Sequence, residues 1–284
     1  MPTLQNQVVI VTGASSGIGE ASAREFGRAG ANVVLAARRV DRLEALAGEI
    51  QALGTPFGRA QALPVAADLS KLADIQNLVA RTLDRFGRVD VLFNNAGFGR
   101  LDWLENLDPV KDIEAQYVVN VMGVVQTTRQ VLPVMIRQKG GHIINMASVA
   151  GLVATPTYSI YASCKFAVRG FSEALRREVA PWGVKVSVVY PGGVATEFGT
   201  HAGIRRKTKA TTPAWLRLTA EGVARSVVGL ARAGRSRELV ITWPFRFTVW
   251  LNQLFPSLVD WTTTSQFTIP ERLDELKAAG LRGN

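Results

Sequence analysis

Val8-Val9-Ile10-Val11-Thr12-Gly13-Ala14-Ser15-Ser16-Gly17-Ile18-Gly19 joins an unbroken apolar run to a glycine-rich turn. The run 8–11 is short and wholly apolar, which predicts a strand buried on both faces, as in a parallel sheet. Glycines at 13, 17 and 19 permit a tight turn and let backbone N–H groups approach a pyrophosphate at a helix N-terminus. The spacing is G-x-x-x-G-x-G, not the G-x-G-x-x-G of the general dinucleotide fingerprint. Alone, the segment also suits a glycine-rich turn that holds no ligand.

The strand–turn–helix unit repeats downstream. A helix is predicted over 17–29, a strand over 32–36, a helix over 39–53, a strand over 63–66 and a helix over 72–86. Beyond these come a strand at 91–93, a long helix near 111–138, a strand at 142–146, a helix at 158–180 and a strand at 185–190. Such alternation predicts an α/β fold: a doubly wound parallel β-sheet flanked by helices. A helix near 220–233 and a strand at 238–242 complete it. No Pro/Ser-rich linker or internal repeat divides the chain, so residues 1–242 read as a single Rossmann-like domain. Residues 243–284 form an aromatic C-terminal extension, packed on the same domain or on a partner.

The 284 residues suffice for a well-buried core, and an apolar fraction of 47% rules out a largely disordered chain. Residues 1–7 are short and polar and are not expected to be a secretory leader. A single cysteine, Cys164, excludes an internal disulfide and suits a reducing cytoplasm. With two histidines and one cysteine, no transition-metal site is expected. Lys+Arg exceed Asp+Glu by 33 − 23 = 10. That excess suits nucleic acid, an anionic membrane, a polyanionic cofactor or simply a solvated basic surface. No nucleic-acid motif accompanies it, so no nucleic-acid partner is expected.

Tyr161 and Lys165, in Y-A-S-C-K, stand four residues apart. On a helix they share a face, about 6 Å apart along the axis. A cation there favours phenolate and would bring a phenol that titrates near pH ~10 closer to neutrality. Adjacent helical residues face differently, so Cys164 reads as a packing residue.

In order along the chain stand Thr12 to Gly19, Asn94-Asn95-Ala96-Gly97, Asn120, Ser148, Tyr161 and Lys165, and Pro191-Gly192-Gly193-Val194-Ala195-Thr196. Together these resemble the short-chain dehydrogenase/reductase family from about Val8 to Phe198. The glycine turn matches that family's T-G-x-x-x-G-x-G. The resemblance implies reversible carbonyl reduction: hydride passes from the pro-S face of the reduced nicotinamide, with Tyr161 as general acid/base. Lys165 would lower the Tyr161 pKa and bind the nicotinamide ribose, and Ser148 would hydrogen-bond the substrate oxygen. Asn120 would kink its helix and hold a water leading to Lys165. These four are the implied catalytic residues.

The cofactor would lie along Gly13, Ser15, Ser16, Gly17, Ile18 and Gly19. Asp68 and Leu69 would meet the adenine, and the Asn94–Gly97 motif, through Asn94, Ala96 and Gly97, would support the sheet and abut the adenosine ribose. Val194 and Thr196 would hold the carboxamide, with Tyr161 and Lys165 completing the set. The predicted second strand ends Leu35-Ala36-Ala37-Arg38-Arg39 with no acid to accept from a ribose. Arg38 sits where phosphate-binding arginines fall, which favours NADP(H).

The stretch 197–218 reads as a substrate cover, basic through His201, Arg205, Arg206, Lys207, Lys209 and Arg217. It suits an anionic substrate tail or a mobile charged loop. The tail carries Trp243, Phe245, Phe247, Trp250, Phe255 and Trp261, with Arg246, Asp260, Pro244 and Pro256 among them, so it is not a membrane span. It suits packing within the subunit or contact with an anionic membrane surface. The resemblance also implies a homodimer or homotetramer. The expected protein is therefore a cytoplasmic NADP(H)-dependent oxidoreductase interconverting a ketone or aldehyde and an alcohol, of hydrophobic character. Its rivals are a non-catalytic NADP(H)-binding sensor or scaffold, and a membrane-associated lipid-carbonyl reductase.

Overall fold

A computed structural model describes residues 3–55, 58–202, 212, 214–241 and 243–278. The chain runs β1 (Val8–Thr12), α1 (Gly17–Arg28), β2 (Asn32–Ala37), α2 (Val40–Ala52), and a short antiparallel pair, β3 (Gly54–Thr55) and β4 (Gly58–Arg59). Next come β5 (Ala62–Ala66), α3 (Leu72–Phe86), β6 (Val91–Asn94), α4 (Ala115–Tyr117), α5 (Gly123–Gln138) and β7 (Gly141–Met146). After these stand α6 (Ser159–Glu178), β8 (Val184–Tyr190), α7 (Phe198–His201), α8 (Ala220–Ala233) and β9 (Glu238–Val240). Three helices end the described chain: α9 (Trp243–Leu254), α10 (Pro256–Thr263) and α11 (Ile269–Ala278).

The main sheet has seven strands in the order β5-β2-β1-β6-β7-β8-β9, all paired in parallel. The chain winds from β1 out to β5, returns to β6 and winds to the other edge. The order therefore reverses between β1 and β6, and the loops leaving their carboxyl ends part to form a crevice. Helices cover both faces. Phe26, Leu46 and Val227 belong to the core on one side, Leu78, Met135 and Leu175 to that on the other. This is why β1 is buried along its whole length and reads as a continuous Val/Ile run.

Several boundaries differ from those the sequence predicts. The long central helix starts at Pro109, because Asp108 caps it by accepting from Val110 N (2.9 Å) and Lys111 N (2.8 Å). It contains wide π-type turns at Pro109–Glu114 and Val118–Met122. β9 ends at Val240, and Thr242, predicted as strand, lies outside the described residues. The aromatic extension is helical. Pro244 and Pro256 fall in the first turns of α9 and α10, where a missing N–H breaks no helical bond. No described helix is long and apolar enough to cross a membrane.

Candidate active site

The crevice is lined by the turns after β1 and β6, which are bolted together. Thr12 Oγ1 accepts from Asn95 N (2.9 Å) and Ala96 N (3.1 Å), and Asn95 Nδ2 donates to Thr12 O (3.0 Å). Gly13 and Gly17 hold left-handed backbone, φ +67° and +57°. A Cβ on Gly19 would lie 2.2 Å from Gly13 O, so the cradle closes only around glycine. Ser16 precedes α1 with its side chain making no cap hydrogen bond, which leaves the first-turn N–H groups to face an anion. These residues fit a dinucleotide pyrophosphate.

Thr196 packs its methyl group against Gly17: a Cβ there would meet it at 3.2 Å. Val194 is bridged to Leu218 and packs on the core together with Ile18. The Pro191–Thr196 turn thus reaches the glycine turn from across the crevice. Asp68 Oδ1 accepts from Ser70 N (3.0 Å) and Ser70 Oγ (2.8 Å). Burial works to raise its pKa, but those bonds, with Arg38 and Lys71 nearby, win and hold it below the usual range. Leu69 is buried against Gly123.

Two of the expected residues do not line the cradle itself. Arg38 is exposed and acts through its charge on Asp68. It is Arg39 that enters the cradle, donating to Ser16 Oγ (2.8 Å) and Ser15 Oγ (3.1 Å). The Asn94 side chain points away from the crevice, 1% exposed, donating to Asn145 Oδ1 (2.9 Å) and Thr128 Oγ1 (3.0 Å). Asn95, to which the sequence assigns no role of its own, holds the turns together instead. Strand alternation was the available signal, because adjacent residues at a strand end face opposite ways. Arg205, Arg206, Lys207 and Lys209 of the expected cover lie outside the described residues.

Further along the crevice, Ser148, Tyr161, Lys165 and Asn120 converge. Ser148 ends the segment after β7, its Oγ accepting from Ala150 N (3.2 Å). Tyr161 and Lys165 lie on α6, 8% and 4% exposed, with Lys165 Nζ 5.5 Å from the Tyr161 ring centre and donating to Met146 O (3.1 Å). Asn120 occupies the second π turn and is clamped by Phe98: its Oδ1 accepts from Phe98 N (2.9 Å) and its Nδ2 donates to Phe98 O (2.7 Å). Gly97 leaves room for both: a Cβ there would lie 2.8 Å from Asn120 Oδ1 and 3.6 Å from Lys165 Nζ. Just before α6, Thr157 holds φ +68°, a left-handed conformation rare for a β-branched residue.

The electrostatics depart from what spacing alone implies. Burial pushes the Tyr161 phenol well above its ordinary value, and a hydrogen bond with Ser148 only partly opposes it. Burial also lowers Lys165 to about 8. The chain alone therefore does not bring the phenol towards neutrality: burial opposes the charge on both groups, and at about 8 Lys165 still carries its charge at neutral pH. A protonated phenol beside a serine hydroxyl is set to donate a proton to an oxygen in the crevice. Cys164 is fully buried, its thiol pushed up to about 11 by burial, as suits packing.

The model of the short chain dehydrogenase family matches residues 7–206. An 11-beta-hydroxysteroid dehydrogenase A of Sesamum indicum is 35% identical over 265 residues, 90% of this chain and 74% of that one. A short chain dehydrogenase/reductase from Burkholderia phymatum in complex with NAD superposes with TM-score 0.78 at 30% identity, covering 91% of this chain and 96% of that one. An alcohol dehydrogenase from the archaeon Thermococcus sibiricus, complexed with 5-hydroxy-NADP, gives TM-score 0.73 at 31% identity, covering 84% and 96%.

Proposed function

The chain belongs to the short chain dehydrogenase family of oxidoreductases, and on that premise we propose that it is an NADP(H)-dependent enzyme interconverting a carbonyl and an alcohol on a hydrophobic substrate. The observation that carries the reading is the buried Tyr161–Lys165 pair, with half-buried Ser148 beside it, at the end of an uncapped glycine cradle. The nicotinamide supplies hydride transfer when bound. Tyr161 holds its proton at the hydroxyl and delivers it to the substrate oxygen. Ser148 orients that oxygen, and Lys165, held by Met146 O, supplies a cation whose charge rises as the phenol loses its proton. Gly13 to Gly19, Asp68, Ala96, Gly97, Val194 and Thr196 hold the cofactor, and the missing acid after β2 with Arg39 at Ser15 and Ser16 favours the 2′-phosphate form.

The test is NADPH consumption by purified protein over carbonyl substrates graded from small to steroid-sized, with NADH and a Tyr161→Phe variant alongside. Turnover with NADPH that vanishes in the variant is the expected result. Tight NADPH binding without turnover on any substrate would sink it. Leu101, Tyr161 and Ala202 cluster with Tyr158 and Phe198, an apolar wall that suits a hydrophobic substrate.

Two further features extend the proposal. Val110, Tyr117, Met122 and Phe166 are exposed on the helices bearing Asn120 and Tyr161, which supports packing of those helices on a second subunit. A cytoplasmic setting suits the single buried cysteine. A second reading, contact with a membrane surface, is favoured by α9 and α10. Trp243, Phe247, Trp250 and Leu254 share one helical face and are at least half exposed, as are Phe255, Leu258 and Trp261. Co-sedimentation with anionic vesicles decides it: protein left in the supernatant removes the membrane from the account.

A further inference from the structure

Glu197 lies directly after Thr196, yet its carboxylate crosses the crevice. Its Oε2 accepts from Arg39 Nη1 at 3.2 Å and its Oε1 from Arg42 Nη1 at 3.0 Å. The same two arginines hold the glycine turn: Arg39 donates to Ser15 Oγ and Ser16 Oγ, and Arg42 Nη1 reaches Ser15 O at 3.5 Å. An anion thus already sits on the basic pair beside the cradle, and it belongs to the protein.

Immediately beyond Glu197 the chain forms the wall of the candidate substrate pocket. The Phe198 ring lies 5.5 Å from the Tyr161 ring and is pressed on Gly99, whose Cβ would lie 2.9 Å from it. Four residues on, Ala202 O accepts from Leu101 N (3.0 Å), and Ala202 is buried against Leu101 and Tyr161. One carboxylate therefore ties the adenosine end of the crevice to the segment that covers its reacting end.

We propose that Glu197 is a displaceable internal stand-in for the cofactor's 2′-phosphate. When that phosphate takes Arg39 and Arg42, Glu197 is released and the 197–202 wall is freed to open for substrate. The inference rests on the NADP(H) reading above. Its physical basis is a competition of unequal anions. The two bridges are exposed, with side chains roughly two-fifths accessible, and exposed ion pairs are weak. A phosphate brings more charge and more acceptor oxygens to the same guanidinium groups. Exchange is favourable for a 2′-phosphate and not for a bare ribose hydroxyl. Cofactor choice and access to the substrate pocket then depend on one residue.

The experiment uses adenosine 2′,5′-bisphosphate against adenosine 5′-monophosphate, so that nicotinamide contacts cannot intervene. Binding is measured for the full chain and for Glu197→Gln and Arg39→Ala/Arg42→Ala variants, with hydrogen exchange monitored at 197–202. We expect the bisphosphate, and not the monophosphate, to speed exchange there. Glu197→Gln should bind the bisphosphate about fivefold tighter, the combined worth of two weak exposed ion pairs, with the monophosphate unchanged. The arginine variant should no longer distinguish the two ligands. If that variant loses discrimination while Glu197→Gln changes neither affinity nor exchange, the stand-in is overturned and the NADP(H) reading survives. If the unaltered chain binds both ligands equally, the NADP(H) reading fails and takes the stand-in with it.

Discussion

Lys165 Nζ and the centre of the Tyr161 ring are 5.5 Å apart in a pocket that leaves both side chains under a tenth exposed. The pairing sets an amine and a phenol where burial opposes the charge on both, so their arrangement costs stability.

Lys165→Met is therefore expected to make the fold more stable. Burial places the Lys165 value at about 8, below its ordinary 10.5, so the folded chain binds fewer protons there than the unfolded one. The penalty grows as pH falls from 10.5 and is complete below 8. It amounts to roughly 3 kcal/mol at most. Denaturant unfolding at pH 7 should favour the variant by about 1–3 kcal/mol, and the gap should narrow at about pH 10. A variant less stable at neutral pH would contradict this.

His142 makes the fold acid-labile. It lies in β7, 4% exposed, with Nε2 2.8 Å from Ser187 Oγ and no partner for Nδ1 among the described residues. Burial, helped by Lys185, lowers its value to about 4 from an ordinary 6.5. Its neutral form is favoured in the fold, so stability falls as pH drops below 6.5 and the loss is complete below about 4. His142→Gln can still reach Ser187 but has nothing to titrate. Its unfolding midpoint should vary less between about pH 7 and pH 4 than that of the unaltered chain, which equilibrium unfolding across that range will show.

The sheet was legible because buried parallel strands announce themselves: Val8-Val9-Ile10-Val11 can be little else, and Leu72–Phe86 carries its helix boundaries on its face. The candidate site was legible where backbone geometry demands a residue type, as at Gly13, Gly17 and Gly19. It was less so where a long side chain chooses among partners. Arg38 and Arg39 are indistinguishable as letters, and only the turn of the chain after β2 decides which enters the cradle. The Tyr161 environment was misread for a related reason: sequence spacing reports the cation and not the burial that opposes it. The helices of the tail escaped because Pro244 and Pro256 read as breaks rather than as first-turn residues, and the helically spaced Trp243, Phe247, Trp250 and Leu254 face outward instead of into a core.

Gly19→Ala should damage the cradle selectively. The added methyl would lie 2.2 Å from Gly13 O and 2.6 Å from Asn95 Nδ2, and the first is backbone that cannot swing aside. The turn must shift and the Asn95 bonds to Thr12 and Gly13 weaken. We expect NADPH binding to fall by more than about tenfold, with a stability loss of about 1–3 kcal/mol. Calorimetry and thermal unfolding measure the two separately. Unchanged affinity would mean that the glycine turn does not receive the cofactor.

The last helix is strapped to the loop that leads into the site. The Arg272 guanidinium stacks 3.7 Å from the Trp103 ring centre and pairs with Glu105 at 2.5 Å, while Trp103 Nε1 donates to Glu275 Oε1 at 2.6 Å. Trp103 is 7% exposed and stands two positions after Leu101, which packs on Tyr161, so α11 braces the wall of the pocket from outside. Stacking on the ring needs the planar guanidinium, and lysine supplies only the charge. Arg272→Lys should therefore lose most of what Arg272→Ala loses, about 1–2 kcal/mol of docking. Faster amide exchange in α11 and at 101–107, with β1 and β6 unaffected, is the expected signature in both variants. A lysine variant with exchange like the unaltered chain would show that charge alone holds the helix. A Trp103→Ala/Arg272→Ala double-mutant cycle with no coupling would show that the two residues touch without stabilising each other.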